Sequence, residues 1–330
     1  MIKKRTTLDD VATEAKCSVS MVSYVLRTGE KGNSSPATRR RIYDAVRKLN
    51  YHIDIAAKTL RTGKSQSVGV LFPDVDLDYI YPLMIALEKE FRKYDYFLYH
   101  SFFDSAKEES IAYSISRLEA LKVEAIITPG LTRRTAMNSR VPLIIWGNNR
   151  ENYDCVFPDK EFLGKDIIDF LQKLGHRRIA AAGLLEDIRY DAMRSRLLEY
   201  DEKYFFNGSA SAENGIKSFR SFFSLSQPPT AIVYHSDLMA IAAMREAAMR
   251  QIRIPEDLTI IGFGEHSLAP HTLPALTTYS QNLDETAAHL AHATMNRLRT
   301  PDMPLQKIPV PVKFIPRESH AEVRIQVATL

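Results

Sequence analysis

The chain has 330 residues, enough for two or three domains at roughly 150 residues each. Hydrophobic residues make up 45% and charged residues 25%, which excludes a mostly disordered chain, and no apolar run reaches the ~18 residues a membrane span needs. Residues 1–65 hold 14 Lys/Arg against 6 Asp/Glu, whereas the rest hold 30 against 34; a basic head on a mildly acidic body implies a polyanionic partner, nucleic acid first.

The head reads as three short helices. Thr7 and Asp10 form a capping pattern ahead of Leu8, Val11, Ala12 and Ala15, which share one helical stripe. After the turn at Lys16-Cys17, Ser18 caps a second helix whose Val22, Val25 and Leu26 face inward. Ser35-Pro36 opens a third, with Ile42, Ala45, Val46 and Leu49 at helical spacing. The first two make a helix-turn-helix, a motif whose second helix enters the major groove. Val19, Ser20, Ser23 and Tyr24 are its outward candidates: hydroxyls bond base edges or phosphates, and Val meets thymine methyls.

From Ser67 the pattern changes. Strands VGVLFP, YFLYH, VEAIITP and VPLIIWG alternate with helices at PLMIALEKEF and around 107–121. A second set follows: a helix at 162–174, RRIAAAG, a helix near 190–200, TAIVYH, a helix at 237–249, and LTIIGFG. The alternation predicts two doubly wound parallel-sheet subdomains, roughly 67–158 and 159–281, facing each other across a ligand cleft.

Catalytic and metal chemistry find no footing. Cys17 and Cys155 stand far apart, in neither disulfide-framework nor zinc spacing. His289 and His292 share a helix face without a third ligand, and Gly63-Lys64-Ser65 lacks the upstream glycine of a phosphate loop. There is no nucleophile elbow and no paired carboxylates, so no enzyme, cofactor or metal is expected. The N-terminus MIKKRTTLDD carries no signal-peptide core, and a cytoplasmic protein without membrane partners is expected.

The string Thr7-Leu8-x-Asp10-Val11-Ala12-x-x-Ala15-x-x-Ser18-x-x-x-Val22-Ser23-x-Val25-Leu26, with Ser35-x-x-Thr38-Arg39-x-x-Ile42 and Leu49-x-Tyr51, resembles the DNA-binding head of the LacI/GalR repressor family. Ala57-Lys58-Thr59-Leu60 resembles its hinge helix, and the likeness continues through Leu174-Gly175-His176-Arg177-Arg178-Ile179-Ala180, Pro255-Glu256-Asp257 and Pro316-Arg317-Glu318-Ser319. It implies a helix-turn-helix head (1–52), a hinge and linker (53–65), and a periplasmic-binding-protein-like body (66–320) ahead of a tail (321–330). In the body the chain would cross between subdomains near 159, 282 and 309, giving one of about 66–158 and 282–308 and another of about 159–281 and 309–320.

By the same resemblance Thr7, Ser18, Val19, Ser20, Met21, Ser23, Tyr24, Arg39 and Tyr51 serve DNA binding. Ala57, Lys58 and Leu60 join them from the hinge, with Leu60 wedged into the minor groove. Met21 stands for the usual Thr, Tyr24 for Arg, Lys16 for the turn's Gly or Asn, and Ile53-Asp54 for Pro-Asn. Arg194 matches the effector-binding arginine, or is a surface helix arginine. Tyr79 lines the cleft or belongs to the core; Asp159 and Asp237 contact the effector or cap helices; Gln281 and Leu283, after the Thr277-Thr278 motif at a crossing, also line the cleft as effector-binding residues. Gly264 replaces the family's ligand-binding Asp, which with Arg194 favours a phosphorylated or acidic sugar over a neutral one. The expected protein is a repressor: a homodimer on a pseudo-palindromic operator in double-stranded DNA, governed by a sugar or phosphosugar effector. A periplasmic-type binding protein and a cleft enzyme are the alternatives.

Overall fold

The computed structural model describes residues 6–28, 33–52, 59, 63–74, 77–104, 107–130 and 137–323. It divides into two compact units, 1–65 and 66–330.

The head holds α1 (Leu8–Ala15), α2 (Val19–Thr28) and α3 (Pro36–Lys48). Thr7 and Asp10 close a reciprocal capping box on α1: the Asp10 amide donates to Thr7 Oγ1 at 3.3 Å, and the Thr7 amide to Asp10 Oδ2 at 2.8 Å. Lys16 ends α1 in the left-handed region, at φ 51°, a conformation costing a side-chained residue roughly 1–2 kcal/mol. Ser35 caps α3, accepting from the Thr38 amide at 3.1 Å, with Pro36 in the first turn. Val11, Ala12, Ala15, Val22, Val25, Ile42, Ala45 and Tyr51 form the core of this unit.

Among the described residues the body contains two six-stranded sheets. Strands β1 (Ser67–Pro73), β2 (Phe97–Phe103), β3 (Ala125–Pro129), β4 (Leu143–Trp146), β5 (Asp154–Pro158) and β11 (Lys307–Val310) form the first, ordered β11-β5-β4-β3-β1-β2, all parallel. Strands β6 (Ile179–Gly183), β7 (Phe205–Asn207), β8 (Ala231–Tyr234), β9 (Thr259–Phe263), β10 (Thr277–Ser280) and β12 (Lys313–Ile315) form the second, ordered β12-β10-β9-β8-β6-β7, with only β12 antiparallel. Helices α4 (Leu77–Arg92), α5 (Glu108–Ala120) and α10 (Leu283–Arg299) go with the first sheet. The second carries α6 (Lys160–Lys173), α7 (Ile188–Arg196), α8 (Ala212–Phe222) and α9 (Asp237–Met249). Most sheet strands are buried along their length, which is why they read as continuous apolar runs rather than alternating ones.

The chain passes between subdomains three times: at Asp159, at 281–282, and at 311–312. The third crossing falls two residues later than the expected 309, because Pro309 and Val310 still pair with Phe157 and Pro158 in the first sheet. The first residues of the tail are docked on the second subdomain. The Val323 amide donates to the Leu174 carbonyl at 2.9 Å, and the Ala321 carbonyl accepts from His176 Nε2 at 3.1 Å.

The helix expected near 190–200 spans 188–196 instead, since Leu197 takes extended backbone. The α4 helix starts five residues before Pro82 and carries that proline inside it. Neither α8 nor β7 was expected. The buried stripe of α8 is Gly215, Ser218, Phe219 and Phe222, half of it too small to register as apolar, and Gly215 admits Met239 so closely that a Cβ would stand 2.3 Å from its carbonyl.

Candidate functional site

The head presents the first turn of α2. Ser18 Oγ accepts from the Met21 amide at 3.2 Å and lies 3.0 Å from Ser20 Oγ. Val19, Ser20 and Met21 are exposed while Val22 and Val25 are fully buried, so the turn offers hydroxyls and apolar groups together on its open side. Ser23 and Tyr24 are half-buried, and the Tyr24 hydroxyl accepts from the Asn33 amide at 2.9 Å. Arg39 is half-exposed beside exposed Arg40 and Arg41 on α3. Thr7 is engaged as the α1 cap, and Tyr51 belongs to the head core. Ala57, Lys58 and Leu60 lie outside the described residues.

In the body, side chains converge at the carboxyl ends of β4, β5, β6, β8 and β9. Lys160, just past the first crossing, donates from Nζ to Asn148 Oδ1 at 2.6 Å and to Asp187 Oδ2 at 2.7 Å. Asn148 follows β4 in the first subdomain, and its amide also donates to the Gly130 carbonyl. Asp187 caps α7 in the second, accepting the Arg189 amide at 3.1 Å. One ammonium therefore ties the two subdomains together across the cleft.

Behind it sits Arg189, 2% exposed. Its guanidinium carbon lies 4.2 Å from the Phe263 ring centroid, and one terminal nitrogen donates to the His235 carbonyl at 3.4 Å. Its Nε is 3.7 Å from Asp187 Oδ1, too far for a hydrogen bond, and has no other partner among the described residues. The Tyr190 hydroxyl donates to the Ala182 carbonyl at 3.0 Å, and its ring stacks on His235 at 6.0 Å. Gly183, at φ 149°, permits this stack, since a Cβ would lie 2.1 Å from His235 Cβ and 2.4 Å from the Tyr190 oxygen. Gly164 on α6 likewise lets α7 approach: a Cβ there would meet the Arg189 carbonyl at 2.3 Å.

The electrostatics follow from this packing. Burial pushes the Lys160 ammonium below the usual lysine range, against the pull of Asp187. Burial alone would raise Asp187, but Arg189 and Lys160 together outweigh it and hold its carboxyl below the usual range. Burial first, then Arg189, drives His235 well below the ordinary histidine value, so it is neutral at pH 7.

The cleft residues expected from the sequence are more dispersed. Asp159 caps α6, accepting from the Phe162 amide at 3.0 Å. The cap of α9 is Ser236, not Asp237. Asp237 is buried beside it, with Oδ1 accepting from Thr278 Oγ1 at 2.6 Å and Oδ2 from the His266 amide at 2.7 Å. Burial pushes its carboxyl above the usual range, and both oxygens bind β10 and the 264–266 loop. Arg194 pairs with Asp191 at 3.0 Å and lies 5.0 Å over the Phe205 ring on the edge strand. Gln281 is half-buried at the second crossing, and Leu283 opens α10 half-buried against the first-sheet core. Tyr79 falls in the first turn of α4, and its side chain lies outside the described residues. Gly264 sits at φ 121°, a backbone that an aspartate would adopt only under strain.

Sequence reasoning missed Lys160, Asp187, Arg189, His235 and Asn148. One signal could have found them: each stands at or just beyond the carboxyl end of a strand, where open α/β sheets bind ligands.

Residues 7–54 match the family described as bacterial regulatory proteins, lacI family, and residues 168–320 match a periplasmic binding protein-like domain. Catabolite control protein A of Staphylococcus xylosus is 30% identical over 300 residues, covering 86% of this chain and 89% of that protein. The HTH-type transcriptional repressor CytR of Escherichia coli (strain K12) is 26% identical over 299 residues, covering 83% and 84%. Among solved structures, the Lac repressor dimer bound to operator and the anti-inducer ONPF superposes with a TM-score of 0.82 at 20% identity, covering 96% of this chain and all of that one. A LacI family transcriptional regulator from Enterococcus faecium with bound ribose gives a TM-score of 0.68 at 22% identity, covering 78% of this chain and 100% of that one.

Proposed function

The chain belongs to the lacI family of bacterial regulatory proteins, and we propose that it represses transcription by reading an operator through the first turn of α2 while a small molecule in the body's cleft controls its grip. It is a DNA-binding regulator and not an enzyme. The observation that carries the assignment of the reading surface is the exposed Val19-Ser20-Met21 turn backed by fully buried Val22 and Val25. Ser20 supplies a hydroxyl for base edges, Val19 and Met21 supply apolar contact for thymine methyls, and Arg39, Arg40 and Arg41 supply charge for phosphates.

A homodimer places two such turns on a two-fold operator. The first sheet offers a surface for it: β2 is an edge strand with Phe97, Tyr99 and Phe102 exposed, and Tyr81, Ile85 and Tyr113 are exposed on α4 and α5. No helix among the described residues is long and apolar enough to cross a membrane.

Selection from random duplexes by the intact chain tests the reading. The expected product is a pseudo-palindrome whose enrichment disappears with Ser20→Asp, a substitution that sets a carboxylate against the groove. Enrichment by Ser20→Asp equal to wild type would remove α2 as the reading helix.

A further inference from the structure

The buried cluster at the strand ends is unbalanced. Lys160 and Arg189 are cationic, Asp187 is anionic and His235 is neutral. Among the described residues, the ionisable groups that act most on Asp187 and His235 come from this same set, and Arg194 acts on the neighbouring Tyr190 and on Tyr200 instead. One carboxylate therefore serves two buried cations. The shortfall falls on Arg189, whose Nε is without a hydrogen-bond partner among the described residues although its side chain is 3% exposed. A buried charge without a counter-ion destabilises a fold and persists where a ligand supplies the opposite charge.

We propose that Arg189 and Lys160 form an anion-binding subsite, and that the effector is a small molecule carrying an oxyanion, either a phosphate ester or a carboxylate. This rests on the reading of the cleft as the effector site. The guanidinium fork of Arg189 suits two oxyanion oxygens, and the Phe263 ring beneath holds its plane. Lys160 makes the subsite mechanical as well as selective. Its Nζ spans from Asn148 in one subdomain to Asp187 in the other, so an oxyanion that draws it away loosens the tie between them. The ligand's charge is thereby read out as a change in the angle of the two subdomains. Arg194 Nε likewise lacks a hydrogen-bond partner among the described residues, but its side chain is more exposed than that of Arg189, and it pairs with Asp191 at 3.0 Å, which makes it the weaker anchor.

The full chain is melted at pH 7 and constant ionic strength while chloride is replaced by inorganic phosphate, for wild type, Arg189→Met and Arg196→Met. Arg196→Met makes the same charge change on the same helix, where the side chain is about half exposed and paired with Asp169. Expected are a rise of several degrees with phosphate in wild type and Arg196→Met, none in Arg189→Met, and an Arg189→Met melting point in chloride at or above that of wild type. Calorimetry then compares ribose with ribose 5-phosphate, and glucose with glucose 6-phosphate and glucuronate. A binder among the esters or the acid should exceed its parent sugar roughly 10- to 100-fold and separates phosphate from carboxylate. An equal phosphate rise in wild type and Arg189→Met overturns the subsite. So does a neutral sugar that binds tightly and equally to both, although it leaves the regulator reading intact. Failure of the wild type to select any duplex would instead remove the regulator reading, whatever phosphate does.

Discussion

Gly164→Ala tests how α7 is held, and through it the position of Arg189. The new Cβ would stand 2.3 Å from the Arg189 carbonyl, 2.7 Å from Ala192 Cβ and 3.1 Å from the Met193 amide nitrogen. Ordinary contact begins near 3.4 Å, so α7 must retreat by about 1 Å, and two of the three atoms are backbone that cannot swing aside. Alanine in a helix interior gains ~1 kcal/mol over glycine, whereas overpacking of this kind costs ~1–3 kcal/mol. With the clash at the upper end of that range, the net is a loss of about 1–2 kcal/mol. At roughly 2–4 °C per kcal/mol for a domain of this size, the melting point should fall by about 2–8 °C. Differential scanning calorimetry on the intact chain reads this directly. Because Arg189 rides on α7, the response to anions should weaken as well, while duplex selection by the head persists. A melting point that rises by a few degrees would mean that only the propensity gain is felt, that α6 and α7 part freely, and that Gly164 does not position the cleft.

Three further outcomes are expected. Operator affinity should fall steeply between low and physiological salt, with a slope of about −0.9 per phosphate contacted in log K against log salt; a flat response would remove the electrostatic role of the basic head. Leu60→Ala should weaken operator binding and reduce DNA bending in a circular-permutation gel assay without altering effector binding, and unchanged bending would make Leu60 an ordinary leucine. Arg297→Met should cost about 3–5 kcal/mol in urea denaturation, because it strands buried Asp154 and three carbonyls, those of Pro301, Met303 and Pro304. Burial alone would raise Asp154, but Arg297 and the Gln306 amide outweigh it and lower its carboxyl below the usual range. A lowered folded value means that this stability is fully present above pH ~4 and fades as pH falls through that value, so the gap between wild type and variant should be flat from pH 8 to 5 and narrow below 4; a gap that narrows instead at neutral pH would point to another group.

The head was legible because its determinants are local. Thr7 with Asp10, Ser18 with Met21, and Ser35 with Thr38 are all three residues apart, so each cap is written beside the helix it starts. The strands were legible for a similar reason, each being a short apolar run between turns. What escaped were elements whose packing rests on small residues, such as α8 on Gly215 and Ser218, and contacts that join distant segments. Asp237 stood out as polar and helix-initial, yet its role is set by Thr278 and the His266 amide, 41 and 29 residues further on.

The cleft illustrates the limit most sharply. Lys160, Asp187 and His235 are unremarkable singly: a lysine after a cap, an aspartate before a helix, a histidine after a strand. Their meaning comes from the three crossings, which stack two sheets so that the ends of β5, β6 and β8 share one volume. Within that volume charge has to be counted, and the count leaves one carboxylate for two cations and the Arg189 Nε without a hydrogen bond among the described residues. A substitution that balances the count from within should therefore make the ligand's charge unnecessary while strengthening, rather than loosening, the tie through Lys160. Asn148→Asp places a carboxylate where Lys160 now finds a neutral amide at 2.6 Å, and so supplies the missing charge on the side of the first subdomain. The cleft should then be held by an internal ion pair, gained against the loss of the amide's bond to the Gly130 carbonyl: the dependence of the melting point on phosphate should vanish, and operator binding should cease to respond to any effector. A variant that keeps the phosphate dependence of the wild type would show that the cluster was never short of an anion.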